Sequence, residues 1–77
     1  MPTIIRIGGF RFFFYSNENS EPPHIHVEKG DDVAKFWLDP VELAYSYGFS
    51  AKEINQLSKL VVQYQAILLK AWNDYFS

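Results

Sequence analysis

Cysteine is absent from this chain of 77 residues, and its absence removes several kinds of chemistry at once. Without cysteine there is no disulfide, no thiolate zinc site and no cysteine nucleophile. Domains below about 80 residues usually depend on disulfides, a structural metal or a second subunit for their stability. The sequence therefore predicts either unusually dense packing of its own side chains or assembly with another chain.

Long hydrophobic runs and an excess of positive charge are also missing. No apolar run approaches the roughly 20 residues that span a bilayer, so we expect no membrane association. The opening stretch, MPTIIRIGG, lacks the layout of a secretory signal, and we expect a cytoplasmic protein. The net charge of −2 argues against nonspecific binding of polyanions unless a local basic patch exists.

Large apolar side chains are abundant. The composition is 48% hydrophobic and 18% aromatic, with seven Phe, five Tyr and two Trp. A chain of this kind can bury a core, and its length limits it to a single domain, residues 1–77.

A first β-hairpin is predicted around Gly8-Gly9, between strands at residues 3–7 and 10–16. Paired glycines suit the positive φ angles that tight hairpin turns require. Opposed residues of a hairpin lie on the same face of the sheet. The opposed pairs in this register are Ile7 with Phe10, Arg6 with Arg11, Ile5 with Phe12, and Ile4 with Phe13.

A second hairpin is predicted from residues 24–28 and 33–38, with a turn between them. Its register places His26 opposite Lys35 and Val27 opposite Ala34. A further segment, residues 41–47, alternates as an edge strand does, with Val41, Leu43 and Tyr45 on one face. The proline before it also permits a short helical turn, and we favour the strand.

A single long helix is predicted over residues 51–74. Ser50 and Glu53 have the spacing of a capping box at its start. A continuous apolar stripe then follows helical spacing. Its members are Ile54, Leu57, Val61, Tyr64, Leu68, Ala71 and Tyr75. We therefore predict an α+β fold in which a four- or five-stranded antiparallel meander packs on one long C-terminal α-helix.

The end of that helix carries the aromatic residues Trp72, Tyr75 and Phe76. A helix of about 24 residues is about 36 Å long, whereas a strand of about seven residues spans about 23 Å, so these rings should extend past the sheet. They either fold back under the aromatic strands or contact a second subunit or a partner protein.

The face of the sheet that points away from the helix is predicted to be basic and aromatic. Arg6 opposite Arg11 is a like-charge pair that destabilises a sheet unless an anion lies over it. One interpretation is an anion- or RNA-binding face, with cations for phosphate and rings for stacking on bases. The residues of this candidate site are Arg6, Arg11, Lys35, Phe13, Tyr15 and Trp37. The alternative is an ordinary surface network with Glu28 or Asp39.

His24 and His26 lie on the same predicted strand face, about 6.6 Å apart by strand rise. They are candidate catalytic residues, because two imidazoles can act as acid and base in the cleavage of a phosphodiester. They could instead help to hold a metal, with Glu28, Glu21 or Glu18 as the third ligand, although we predict no metal and no cofactor. A third interpretation is that they bond to loop backbone behind Pro22-Pro23 and help to seat a partner.

The sequence also closely resembles an uncharacterised bacterial family, the domain of unknown function numbered 4160. The resemblance is carried by FFFYSNE at residues 12–18, EPPHIHV at 21–27, AKFWL at 34–38 and GFS at 48–50. It implies a compact bacterial protein with a small companion protein encoded beside it, an arrangement similar to toxin–antitoxin pairs. No catalytic residue comes with this resemblance.

Two functions therefore stay open. The first is a component of a toxin–antitoxin-like module that acts through protein–protein assembly, by its outer sheet face and helix end, as a homo-oligomer or with a small cognate protein. The alternative is a small metal-independent ribonuclease toxin that uses His24 and His26 as its acid and base.

Overall fold

The computed structural model describes residues 3–15 and 20–76, with Thr3 described in its backbone alone. Five strands precede two helices in the chain. The elements are β1 (Thr3–Ile7), β2 (Phe10–Phe13), β3 (His24–Lys29), β4 (Asp32–Leu38), β5 (Val41–Tyr47), α1 (Ala51–Gln63) and α2 (Gln65–Phe76). The strands form one antiparallel sheet in the order β1-β2-β3-β4-β5. The prediction of an α+β fold with a four- or five-stranded antiparallel meander is confirmed, and the meander has five strands.

The first hairpin turns at Gly8-Gly9, where both glycines have positive φ angles of 56° and 85°. Arg6 lies opposite Arg11, as the spacing predicts. The predicted pairing of Ile4 with Phe13 is wrong, because the register shifts between Thr3 and Ile5 and places Thr3 opposite Phe13. An irregularity of this kind is common near the end of an edge strand.

A second irregularity changes which face the β5 side chains occupy. Leu43 pairs with Phe36 and Tyr45 pairs with Lys35, so Ala44 is an extra residue between two successive positions of β4. An extra residue in one strand shifts the alternation that follows it by one position. Leu43 and Tyr45 therefore lie on opposite faces, contrary to the prediction that they share one.

The core lies between one face of the sheet and the two helices. The sheet contributes the residues that the hairpin registers predict, and they pack against Leu57 and Val61 of α1 and Leu68 and Trp72 of α2. The buried sheet residues are Phe10, Phe12, Phe14, Ile25, Val27, Ala34, Phe36 and Leu38. No disulfide is available, so this aromatic core provides the stability of the fold.

The single long helix predicted over residues 51–74 is wrong, because the helix is interrupted at Tyr64 and continues as α2. Tyr64 has φ −104° and ψ 13°, outside the helical region. The adjacent Gln65 side chain donates from Nε2 to the carbonyl oxygen of Leu38 at 2.6 Å, which ties the break to the end of β4. The start of α2 is thus attached to the sheet by a tertiary contact.

The start of α1 has the capping box that its sequence predicts. The Glu53 backbone N–H donates to the Ser50 hydroxyl at 3.1 Å, and the Ser50 backbone N–H donates to the Glu53 carboxylate at 3.1 Å. These two bonds satisfy donors that the first helical turn leaves without a partner.

The aromatic end of α2 folds back under the sheet. Trp72 is buried, and its ring lies 5.5 Å from that of Phe14. Phe76 also contacts Phe14, at 5.3 Å between ring centroids. Tyr75 touches the same ring but stays 48% exposed, so it is the residue of this trio that presents most to solvent.

We predict that Gly48→Ala destabilises the protein more than Gly8→Ala. Both glycines have positive φ, which costs other residues about 1 kcal/mol. A Cβ at Gly48 would also lie 2.0 Å from Oδ1 of Asp32, whereas one at Gly8 meets nothing within 4 Å. Urea unfolding should show the larger loss for Gly48→Ala, and Asp32→Ala should recover part of it. Equal losses for the two alanine variants would contradict this explanation.

We also predict that Trp72→Ala costs about 3 kcal/mol or more of unfolding free energy, because it empties a site between Phe14 and His24. Tyr75→Ala should cost much less, since that ring is half in solvent. Thermal and urea unfolding followed by circular dichroism provide the measurement. A Trp72→Ala protein as stable as the Tyr75→Ala protein would show that the core does not depend on this ring.

Candidate functional site

The outer face of the sheet, opposite the helices, is built from rows of side chains that run across the strands. The central row is Phe13, His26, Lys35 and Tyr45, contributed by β2, β3, β4 and β5 in turn. The next row is Arg6, Arg11, Glu28, Val33 and Tyr47. The structure therefore brings together most of the residues that the sequence assigns to the candidate site.

Arg11 is neutralised by a carboxylate on the neighbouring strand. Its guanidinium donates to Glu28, the residue opposite it on β3. The same guanidinium lies 4.2 Å from the centre of the Phe13 ring. Arg6, on the other side of Arg11, is exposed. The sequence analysis considered a surface ion pair as the alternative to a bound anion beside the two arginines. The ion pair between Arg11 and Glu28 is such a contact.

Lys35 is neutralised in the same way, by a residue from the loop before β3. Its Nζ donates to the Glu21 carboxylate at 2.5 Å and lies 4.5 Å from the Trp37 ring. The lysine is buried although its partner is exposed. Two of the three cations predicted for the site are therefore held in ion pairs.

The two histidines are buried. His24 is 0% exposed and His26 is 7% exposed. Their rings meet edge to face, with centroids 5.2 Å apart. His26 stacks on Phe13 at 5.4 Å and meets the edge of Tyr15 at 4.9 Å. Both imidazoles are thus packed as rings among aromatic neighbours.

The loop before β3 orients His24. Nδ1 of His24 lies 3.0 Å from the carbonyl oxygen of Pro22. A carbonyl can only accept, so this bond places a proton on Nδ1. The Leu38 N–H donates to the Pro23 carbonyl at 3.0 Å, which fastens the proline corner to the end of β4. The backbone contact predicted for the histidines behind Pro22-Pro23 is thus present for His24.

His24 also connects the two sides of the sheet. Its ring lies 5.7 Å from Trp37, its cross-strand partner, and 4.8 Å from Trp72 of α2. The outer face therefore shares a packed ring with the core, and its shape depends on the position of α2.

Two of the three carboxylates considered as metal ligands, Glu28 and Glu21, are held in ion pairs with cations of the outer face. Within residues 3–15 and 20–76, no group of three His, Asp or Glu side chains is arranged to hold a metal ion. Glu28 pairs with Arg11, and Glu21 pairs with Lys35 while lying 3.7 Å from His24 Nδ1. Glu18, the last of the three candidate carboxylates, lies outside the described residues.

The most exposed aromatic residues of the outer face are tyrosines. Tyr15 and Tyr45 are each 40% exposed, and Tyr47 is 67% exposed. The Tyr45 and Tyr47 rings lie 5.4 Å apart. Sequence reasoning left this pair out of the site. Strict alternation from Val41 places both tyrosines on the same face as Val41, whereas the extra residue Ala44 moves them to the outer face. The sequence signal that could have indicated this pair is the spacing of Tyr45 and Tyr47, two residues apart on one strand.

A separate depression lies on α1, away from the outer face. It has a volume of about 580 Å³ and is lined by Lys52, Asn55, Gln56 and Lys59. All of these side chains are exposed, and none is aromatic or histidine. This is the ordinary chemistry of a solvated helix surface, so the candidate site remains the outer face.

In the described part of the chain, neither helix is long and apolar enough to cross a membrane.

Comparison with known proteins places the chain in a family. No match was found among curated proteins or among solved structures. The model of one family, described as a domain of unknown function (DUF4160), matches residues 9–73. Because that match covers most of the 77 residues, the chain belongs to the DUF4160 family.

Proposed function

We propose that this chain is a noncatalytic binding subunit whose outer face docks onto a partner protein. The observation that carries the proposal is a contrast between two sets of side chains on that face. Several polar groups are buried or held in ion pairs, whereas three tyrosines are exposed. Arg11 and Lys35 are held by carboxylates and the histidines are buried, whereas Tyr15, Tyr45 and Tyr47 present their rings to solvent. Tyrosine is enriched in protein interfaces, because it buries a large apolar ring and keeps a polar end.

A protein partner fits this face better than RNA does. Binding of RNA phosphates requires cations that are available to the ligand. To reach Arg11 or Lys35, a phosphate would have to displace Glu28 or Glu21, which leaves Arg6 as the exposed cation of the predicted site. The net charge of −2 adds no long-range attraction for a polyanion. We therefore assign the rings to packing against protein side chains.

The partner that we propose is a small protein encoded beside this chain, as in a toxin–antitoxin-like module. The family resemblance implies such a companion. Tyr75, exposed at the end of α2, extends the contact beyond the sheet, whereas Trp72 acts from the core by holding His24 in place. Self-assembly is the competing arrangement, and the mass of the purified chain tests it.

The alternative function, a metal-independent ribonuclease, has less support. Proton transfer requires both imidazoles to reach the reacting oxygens of the substrate. His24 is fully buried, and its Nδ1 already contacts the Pro22 carbonyl. The rings of His26 and its neighbours Phe13 and Tyr15 pack together. These contacts favour a structural role for the pair.

We predict that Tyr45→Ala and Tyr47→Ala each weaken binding of the companion protein by roughly tenfold or more, because exposed interface aromatics often contribute above 1 kcal/mol. Ile67→Ala is the matched control, since Ile67 is a comparably exposed apolar residue on α2. The measurement is calorimetric titration of the purified chain with the neighbouring protein, with light scattering of each component alone. Unchanged affinity in both tyrosine variants would overturn the proposed face, and a stable homodimer without companion binding would replace the partner with a second copy.

We predict that His24→Phe and His26→Phe keep companion binding within about threefold of the parent chain. Phenylalanine retains the ring packing, although His24→Phe loses a hydrogen bond worth about 1 kcal/mol. The same variants distinguish the ribonuclease function, because phenylalanine cannot transfer a proton. If expression of the parent chain arrests growth and degrades RNA, and both folded variants lose this effect while still binding the companion, the noncatalytic assignment fails.

A further inference from the structure

Strand β5 has one side without a neighbouring strand. It pairs with β4 on one side, and in the described part of the chain no other strand lies beyond it. Its residues from Glu42 to Tyr45 are exposed. An edge strand presents backbone N–H and C=O groups that can pair with another extended segment.

The features that usually protect an edge are sparse on β5. The strand has seven residues and contains no proline, lysine or arginine. Its single irregularity is at Ala44. The opposite edge, β1, has five residues and carries the exposed cation Arg6. Of the two edges, β5 is therefore the better template for an added strand.

Acidic side chains lie at both ends of this edge. Asp39 and Glu42 are exposed where β5 begins. Asp32 lies against Gly48 where β5 ends, since a Cβ on that glycine would be 2.0 Å from its carboxylate. The sequence from Phe36 to Ala51 contains no lysine or arginine. The edge is thus apolar and aromatic in its middle and negative at its two ends.

This charge pattern selects between possible occupants. Two copies paired antiparallel through β5 would bring the Asp39 end of one copy beside the Asp32 end of the other. Like charges placed across an interface oppose association. A segment with cations at its ends and apolar residues between them would complement the edge instead.

We propose that β5 binds an extended segment of a basic protein, which adds to the sheet as a sixth strand. Backbone hydrogen bonds to β5 would supply affinity. Lysine or arginine near the ends of the segment would face Glu42 and Asp32, and its apolar side chains would pack beside Tyr45 and Tyr47. This inference rests on the proposed function, since it names the kind of partner segment that the outer face and its edge receive.

The test is selection of binders from a displayed library of random peptides, each about 12 residues long, which is enough to pair along a strand. The expected winners are rich in lysine or arginine and alternate β-branched with other residues. Synthetic copies of the winners should protect the β5 backbone amides from hydrogen exchange, as measured by NMR. Their affinity should fall as salt is raised, because exposed charges are screened.

Charge reversal on the edge gives a matched pair of variants. Glu42→Lys should weaken binding of the selected peptides by about fivefold or more. Asp74→Lys makes the same change in charge on α2, where the side chain is exposed, and should change the affinity less than about twofold. If Glu42→Lys fails to fold, Glu42→Gln removes the charge with a smaller perturbation and should weaken binding to a lesser degree.

Several results would overturn the proposal. They are the recovery of no binders, the recovery of acidic or helical peptides, protection of amides outside β5, and equal effects of the two lysine variants. A chain that is dimeric by light scattering, with its β5 amides protected before any peptide is added, would also overturn it in favour of a second copy. If Tyr45→Ala abolishes companion binding but the companion leaves β5 amides unprotected, the strand addition fails while the binding function stands.

Discussion

The packing of Trp72 between Phe14 and His24 holds the two sides of this sheet together. Phe14 belongs to the core, whereas His24 belongs to the ring cluster of the outer face, so one indole connects both. A chain without cysteine depends on such contacts, because no covalent crosslink fixes the ends of its strands. The indole belongs to α2, whose first residue, Gln65, donates a hydrogen bond to Leu38 at the end of β4.

Local patterns in the sequence predicted the strand segments and most of the pairing within the two hairpins, although the pairing of Ile4 with Phe13 was wrong. The glycine pair predicted the first turn, and alternation predicted the pairing of His26 with Lys35. The spacing of Ser50 and Glu53 predicted the capping box at the start of α1. The helix break carried no such signal, because helices usually kink at proline or glycine and neither occurs near Tyr64. The contact that accompanies the break joins Gln65 to Leu38 of β4, and sequence periodicity gives no sign of such a contact.

The candidate site was predictable to the extent that its residues share strands. Alternation correctly gathered Arg11, His26 and Lys35 on one face, and the same alternation put Glu28 there as a possible partner for arginine. The pairing of Lys35 with Glu21 was not accessible, because Glu21 comes from an irregular loop whose path depends on the whole fold. The burial of the histidines could not be predicted either, because alternation indicates the face of the sheet on which a side chain lies and does not indicate which residues cover it.

The difference between the face on which a side chain lies and its exposure on that face is the basis of the function that we propose. A sheet face with two histidines and several cations resembles a site for acid–base chemistry when it is read as a list of residue types. Once His24 is packed against Trp72, and Lys35 and Arg11 are paired with Glu21 and Glu28, the same residues form a packed surface on which Arg6 stays an exposed cation. Besides Arg6, this face exposes the rings of Tyr15, Tyr45 and Tyr47, and these rings are the reason that we propose a polypeptide as its partner. The burial that stabilises this small domain without disulfides therefore also supports our proposal that the outer face binds a partner and does not catalyse a reaction.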